Sequence, residues 1–94
     1  MNNPTREVIK SAVTDDIFIV MKKFGRPDRD YTLNDLLQNE NLDLQGHLRL
    51  SVNIREALAT PFTKISSNQH GGANITQAEA KGANTIAKCI TLVH

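Results

Sequence analysis

The stretch LDLQGHLRLSVNIREALAT, residues 42–60, decides what kind of fold this chain adopts, because it reads in two ways. As a helix, Asp43 caps a segment from Leu44 to Ala59. Gln45, Arg49, Asn53, Glu56 and Thr60 then share one narrow polar strip while Leu44, Leu48, Val52, Ile54 and Leu58 face elsewhere. As a strand, Leu48, Leu50 and Val52 alternate with Arg49 and Ser51, and Asn53 with Glu56 forms a capping box for a shorter helix over 54–60. Gly46 weakens the long helix by about 1 kcal/mol. The long helix is nevertheless the preferred reading, and Pro61 ends the helix in both.

Upstream, Asn3 and Pro4 suit a helix start, and Ile9, Val13, Ile17, Val20, Met21 and Phe24 recur every three or four residues. Gly25 supplies a left-handed stop, Lys22 and Lys23 complement the helix dipole, and Pro27 follows, so a helix is expected from about 4 to 24. Val8, Ala12, Phe18 and Ile19 add a second apolar flank. This helix is then either central to the core, which is preferred, or shared with another subunit. After the charged loop 26–30, Thr32 and Asp35 form a capping box, Tyr31 can staple onto Leu36, and a short helix ends between Gln38 and Glu40.

Downstream, Phe62-Thr63-Lys64-Ile65 and Ala73-Asn74-Ile75 flank the turn Gln69–Asn74, as a small β-hairpin or as a loop. Thr76 and Glu79 then form a second capping box. Ala80, Ala83, Ile86, Ala87 and Ile90 share one face of a last helix over about 77–91, where small residues and Gly82 permit close helix approach.

The expected fold is therefore mainly α: a compact four-helix single domain, residues 1–94, with a candidate hairpin around 62–75. A chain of 94 residues has room for one core and little for a substrate cleft. With four aromatic residues and no Trp, burial falls to aliphatic side chains, and dimerisation would relieve that shortage. Net charge is +1, but residues 44–94 carry five Lys/Arg against two Asp/Glu, so a polyanion would meet that half.

The lone Cys89 forms no intrachain disulfide and no Cys-x-x-Cys metal pair, which makes a reducing cytoplasm the default compartment. No apolar run reaches membrane-spanning length, Met1-Asn2-Asn3-Pro4 does not resemble a signal-peptide start, and Asn74-Ile75-Thr76 reads as a chance glycosylation match. Catalytic constellations are not found. Cys89 sits beside Ile90 in an amphipathic pattern, as a packed thiol does, and His47, His70 and His94 lack metal-ligand spacing. Gly71-Gly72 lacks the Lys-Ser/Thr of a phosphate loop, and Asp28, Asp30 and Asp35 lack the pattern of a calcium loop. The chain is read as non-enzymatic, with no metal, cofactor or small-molecule substrate.

A long first helix, a short second one opened by Tyr31-Thr32-Leu33-Asn34-Asp35-Leu36-Leu37, a short turn and a third helix resemble a helix-turn-helix core. With the Gly-centred hairpin as wing, residues 8–76 resemble winged-helix DNA-binding domains. The resemblance implies a DNA-binding transcriptional regulator. It assigns the major-groove helix to Gln45, Arg49, Asn53 and Thr60, whose side chains suit guanine, adenine and phosphate, and the wing to Lys64, Asn68 and His70. The alternative is a protein-interaction module, a dimeric regulator or an inhibitor docking on another protein, supported by the doubly apolar first helix and the Ala-rich last one.

Overall fold

The computed structural model describes residues 5–23, 31–67 and 74–94. These form α1 (Arg6–Lys23), α2 (Leu33–Gln38), α3 (Val52–Ala57), α4 (Ala59–Ser67), α5 (Gln77–Gly82) and α6 (Ile86–Val93). The fold is mainly helical, and the described residues pair in β fashion only at the isolated bridge between Asp43 and Thr85.

Thr5 starts α1: its Oγ1 accepts the Val8 N–H at 3.3 Å and its carbonyl the Ile9 N–H at 3.1 Å. The cap is thus Thr5, two residues beyond the expected Asn3, while residues 1–4 and 24–30, Gly25 included, lie outside the described part. Ile9, Val13, Ile17, Val20 and Met21 are buried, as their spacing requires. The second flank divides. Ala12 and Phe18 are half-buried against the core side, whereas Val8 and Ile19 are 57% and 58% exposed. α1 therefore packs on α2, α4 and α6 through one side and shows aliphatic carbon to solvent on the other.

Thr14 shares the buried side of α1, and among the described residues its hydroxyl has no hydrogen-bond partner. An unpaired buried hydroxyl costs about 1–3 kcal/mol in lost hydration. Thr14→Val keeps the branched shape without that cost, so the substitution is expected to raise stability by about 1 kcal/mol. A urea midpoint that falls instead would show that the hydroxyl is bonded in solution.

The long helix over 44–59 does not form. Asp43 does cap, its Oδ1 accepting the Gln45 and Gly46 N–H groups at 2.8 and 2.6 Å, but only one turn follows. Within the segment the bonds leave the helical spacing: Leu48 N–H donates to Asp43 O at 3.0 Å and Leu50 N–H reaches back six residues to Leu44 O at 2.9 Å, while the chain at 84–87 pairs alongside. Leu44 N–H donates to Asn84 O at 2.8 Å, Ile86 N–H to Leu42 O at 3.3 Å and Ala87 N–H to Glu40 O at 2.8 Å. Arg49 then reverses the chain in a left-handed conformation, φ 59°. The strand reading fares no better: Leu48 and Leu50 are buried and Arg49 and Ser51 exposed, but Val52 is 45% exposed as the first residue of α3.

Ser51 caps α3 through its Oγ and the Ile54 N–H at 3.3 Å, so Asn53 lies inside the first turn instead of capping it. Pro61 does not end the helix. The segment bends at Leu58, and Pro61 falls in the first turn of α4, where a missing N–H leaves no intrahelical bond unmade. Residues 62–67 are consequently helical, which corrects the hairpin strand expected at Phe62–Ile65; residues 68–73 lie outside the described part. The expected partnership of this segment with Ile75 survives in another form, because Thr63 Oγ1 accepts the Ile75 N–H at 2.9 Å and donates to its carbonyl at 3.2 Å.

Both capping boxes, Thr32 with Asp35 and Thr76 with Glu79, are present. The last helix is split, however. Thr85 caps α6 anew by accepting the Lys88 N–H at 3.1 Å, since Asn84 and Ile86 are held by residues 42–44. Gly82 is not a point of close approach, as a Cβ there would meet nothing within 4 Å; buried Ala80 and Ala83 take that role.

Candidate functional site

The residues expected to read DNA are not carried by one helix. Gln45 is exposed on the turn after Asp43, and Arg49 is exposed at the left-handed bend. Asn53, Thr60 and Lys64 are each exposed, the first on α3 and the other two one turn apart on α4, with the break at Leu58 between the helices. Glu56 of the expected polar strip is half-buried, and the Lys64 charge is felt by Asp16 of α1. Asn68 and His70 lie outside the described residues.

Arg55, which sequence reasoning left without a role, holds this region together. It is 5% exposed. Its Nε donates to Leu50 O at 3.3 Å and its Nη1 to Lys81 O at 3.0 Å, tying α3 to the preceding bend and to the C-terminal end of α5. Nearby, Asp43 N–H donates to His47 Nδ1 at 2.9 Å. Across the molecule, Arg6 grips Glu40 with two bonds, Nη2 to Oε1 at 2.6 Å and Nη1 to Oε2 at 3.2 Å, and Lys10 Nζ stands 3.5 Å from the same carboxylate.

These contacts set the acid response. The Arg6 hydrogen bond holds the Glu40 carboxyl below its ordinary value, and the Gly46 and Gln45 N–H groups do the same for Asp43. A carboxyl depressed in the folded state contributes stability above its unfolded value and loses it as pH falls through the folded one. Asp16 acts oppositely: burial, then neighbouring Asp15, raises it, so its ionisation is a cost at neutral pH that is relieved on acidification. Stability is expected to hold or rise slightly down to about pH 4 and to drop below it. Urea midpoints across that range should show a shallower acid limb in Asp43→Asn; an unchanged limb would remove Asp43 from this account.

The surface that stands out is a groove between α1 and the α3–α4 segment. Asp16, Ile19, Val20 and Lys23 form one wall, and Ala57, Thr60 and Pro61 the other. Its character is aliphatic, with one acid and one base spaced along α1. Sequence reasoning marked Ile19 as part of a second apolar flank but could not place Ala57 and Pro61 opposite it, since Pro61 was taken as a helix end.

No family model matches this chain, and neither does any curated protein or solved structure. Among the described residues no three His, Cys, Asp or Glu side chains converge as metal ligands, and no helix is long and apolar enough to cross a membrane. Cys89 is fully buried, and burial pushes its thiol up to about 12, far from the thiolate a nucleophile needs. Native protein should react with a thiol reagent at neutral pH at least about a hundredfold more slowly than the urea-unfolded chain, limited by opening of α6. Rapid native labelling would contradict that burial.

Proposed function

We propose that this chain is a non-catalytic binding protein that acts by docking a polypeptide along the groove between α1 and α3–α4. The observation that carries the reading is Ile19, 58% exposed at the lip of an aliphatic groove lined by Val20, Ala57 and Pro61. Exposed large aliphatic carbon beside a groove of small side chains is the surface that contact with another protein covers. A cytoplasmic location goes with this reading and rests on the single cysteine.

The test is a photo-cross-linking residue at Thr60 in the intact chain. The expected result is an adduct of one discrete mass with another polypeptide, abolished by Ile19→Glu and retained by Val52→Glu, a control at an exposed aliphatic outside the groove lining. Absence of any adduct, or an adduct indifferent to Ile19→Glu, sinks the reading.

Duplex-DNA binding is a second reading, supported by the exposure of Asn53 on α3 and of Thr60 and Lys64 on α4. If it holds, anisotropy titrations with random duplex will show affinity that falls steeply with salt, and Lys64→Ala will flatten the salt slope by about one. No binding at low salt removes it.

A further inference from the structure

Resting on the docking reading above, we propose that the groove's occupant is a second copy of this chain, the two α1 helices lying antiparallel about a two-fold axis near Ile19 and Val20. Along the groove α1 presents Asp16, then Ile19 and Val20, then Lys23, an order of acid, aliphatic pair and base. Such an order is its own complement when one copy is reversed. Asp16 of each copy meets Lys23 of the other, and Ile19 of each falls beside Ile19 and Val20 of the other. This is the self-matching that a two-fold interface requires. Asp16 and Lys23 are two helical turns apart, about 10 Å along the axis. The two symmetry-related pairs therefore bracket the aliphatic centre without crowding it.

The local chemistry favours this occupant. Among the described residues neither Asp16 nor Lys23 makes an ion pair, whereas Glu40 has its cations in Arg6 and Lys10. Lys22, the other base at this end of α1, is engaged over the Phe18 ring, 5.7 Å from its centre, which leaves Lys23 to face the groove. Asp16 is half-buried with Asp15 beside it, and Lys64 of α4 is the cation whose charge reaches it. A second cation there offsets the remaining acid. The opposite wall carries only the small side chains of Ala57, Thr60 and Pro61, and closely packed helices sit about 8–10 Å apart. Ile19, left in water by the single chain, is then covered in both copies.

Sedimentation equilibrium of the full chain over a wide concentration range tests the proposal. The unaltered protein is expected to dimerise reversibly. Asp16→Lys and Lys23→Glu should each weaken the dimer about tenfold or more by setting like charges together, and the combined variant should recover most of the loss because both pairs are reversed. Ile19→Glu should weaken it about a hundredfold, since two side chains per dimer are affected. Circular dichroism identifies any variant that fails to fold. In that event the Thr60 cross-link in the otherwise unaltered chain decides, and an adduct at twice the monomer mass supports the pairing. A strictly monomeric parent, or a combined variant no better than the single ones, overturns it. A monomer whose Thr60 adduct contains a different protein overturns the second copy and leaves the docking face standing; a monomer with no adduct removes both.

Discussion

Phe62→Ala is expected to destabilise the protein by about 3–5 kcal/mol, the usual cost of emptying a fully enclosed phenylalanine site. Phe62 is completely buried in α4, among the largest enclosed side chains of the core. For a chain of 94 residues the total stability is on the order of 5–14 kcal/mol, so this single change removes about a fifth of it or more. A thermal melt followed by circular dichroism reads the loss directly. Phe18→Ala is the comparison, because Phe18 is only partly buried against the same core and should cost clearly less. The pair also separates two architectures. A phenylalanine on a wing strand would be half in solvent, and its removal would cost little; a loss below about 1.5 kcal/mol would therefore contradict the helix at 59–67.

Arg55→Met is expected to cost about 2–3 kcal/mol, a fall in melting temperature of about 10–20 °C for a domain of this size. Methionine retains much of the apolar stem but leaves the Leu50 and Lys81 carbonyls without the guanidinium that bonds both. Hydrogen bonds from a charged group are worth about 1.5–3 kcal/mol each, offset in part by the charge no longer needing to be held out of water. Arg55→Lys is the sharper probe: an ammonium keeps the charge but cannot span two carbonyls as the planar fork does, so it should recover only part of the loss. Stabilities of the methionine and parent proteins within about 0.5 kcal/mol of each other would show that the two bonds contribute nothing net.

The helical class, the apolar stripe of α1 and both capping boxes are legible in the sequence because each depends on residues within four positions of one another. Thr32 needs only Asp35, Thr76 needs only Glu79, and Ile9, Val13 and Ile17 are placed by helical period alone. The candidate site was less accessible. Ile19 was visible as surplus apolar carbon, while the expected strip of Gln45, Arg49, Asn53 and Thr60 is spread over a turn, a bend and two helices, and Lys64, assigned to the wing, lies on α4. Arg55 was passed over, because an arginine bonding the carbonyl of Lys81 looks, in a string, like any charged helical residue. The groove needed α1 and the bend at Leu58 to be brought side by side.

Residues 42–60 show where local information ends. Asp43, Leu44 and the leucines after them satisfy a helix and a strand almost equally, and the chain forms neither over 44–50. Leu50 N–H closes back on Leu44 O instead of extending a helix, and the backbone at 84–87 pairs with Glu40, Leu42 and Leu44, which takes the Asn84 carbonyl from the last helix and cuts it at Thr85. Local propensity differs by about 1 kcal/mol between such readings, whereas a buried backbone N–H or carbonyl left unpaired costs as much or more for each group. Pairing across forty or more residues therefore outweighs the local preference of the last helix, and only the assembled core reveals it.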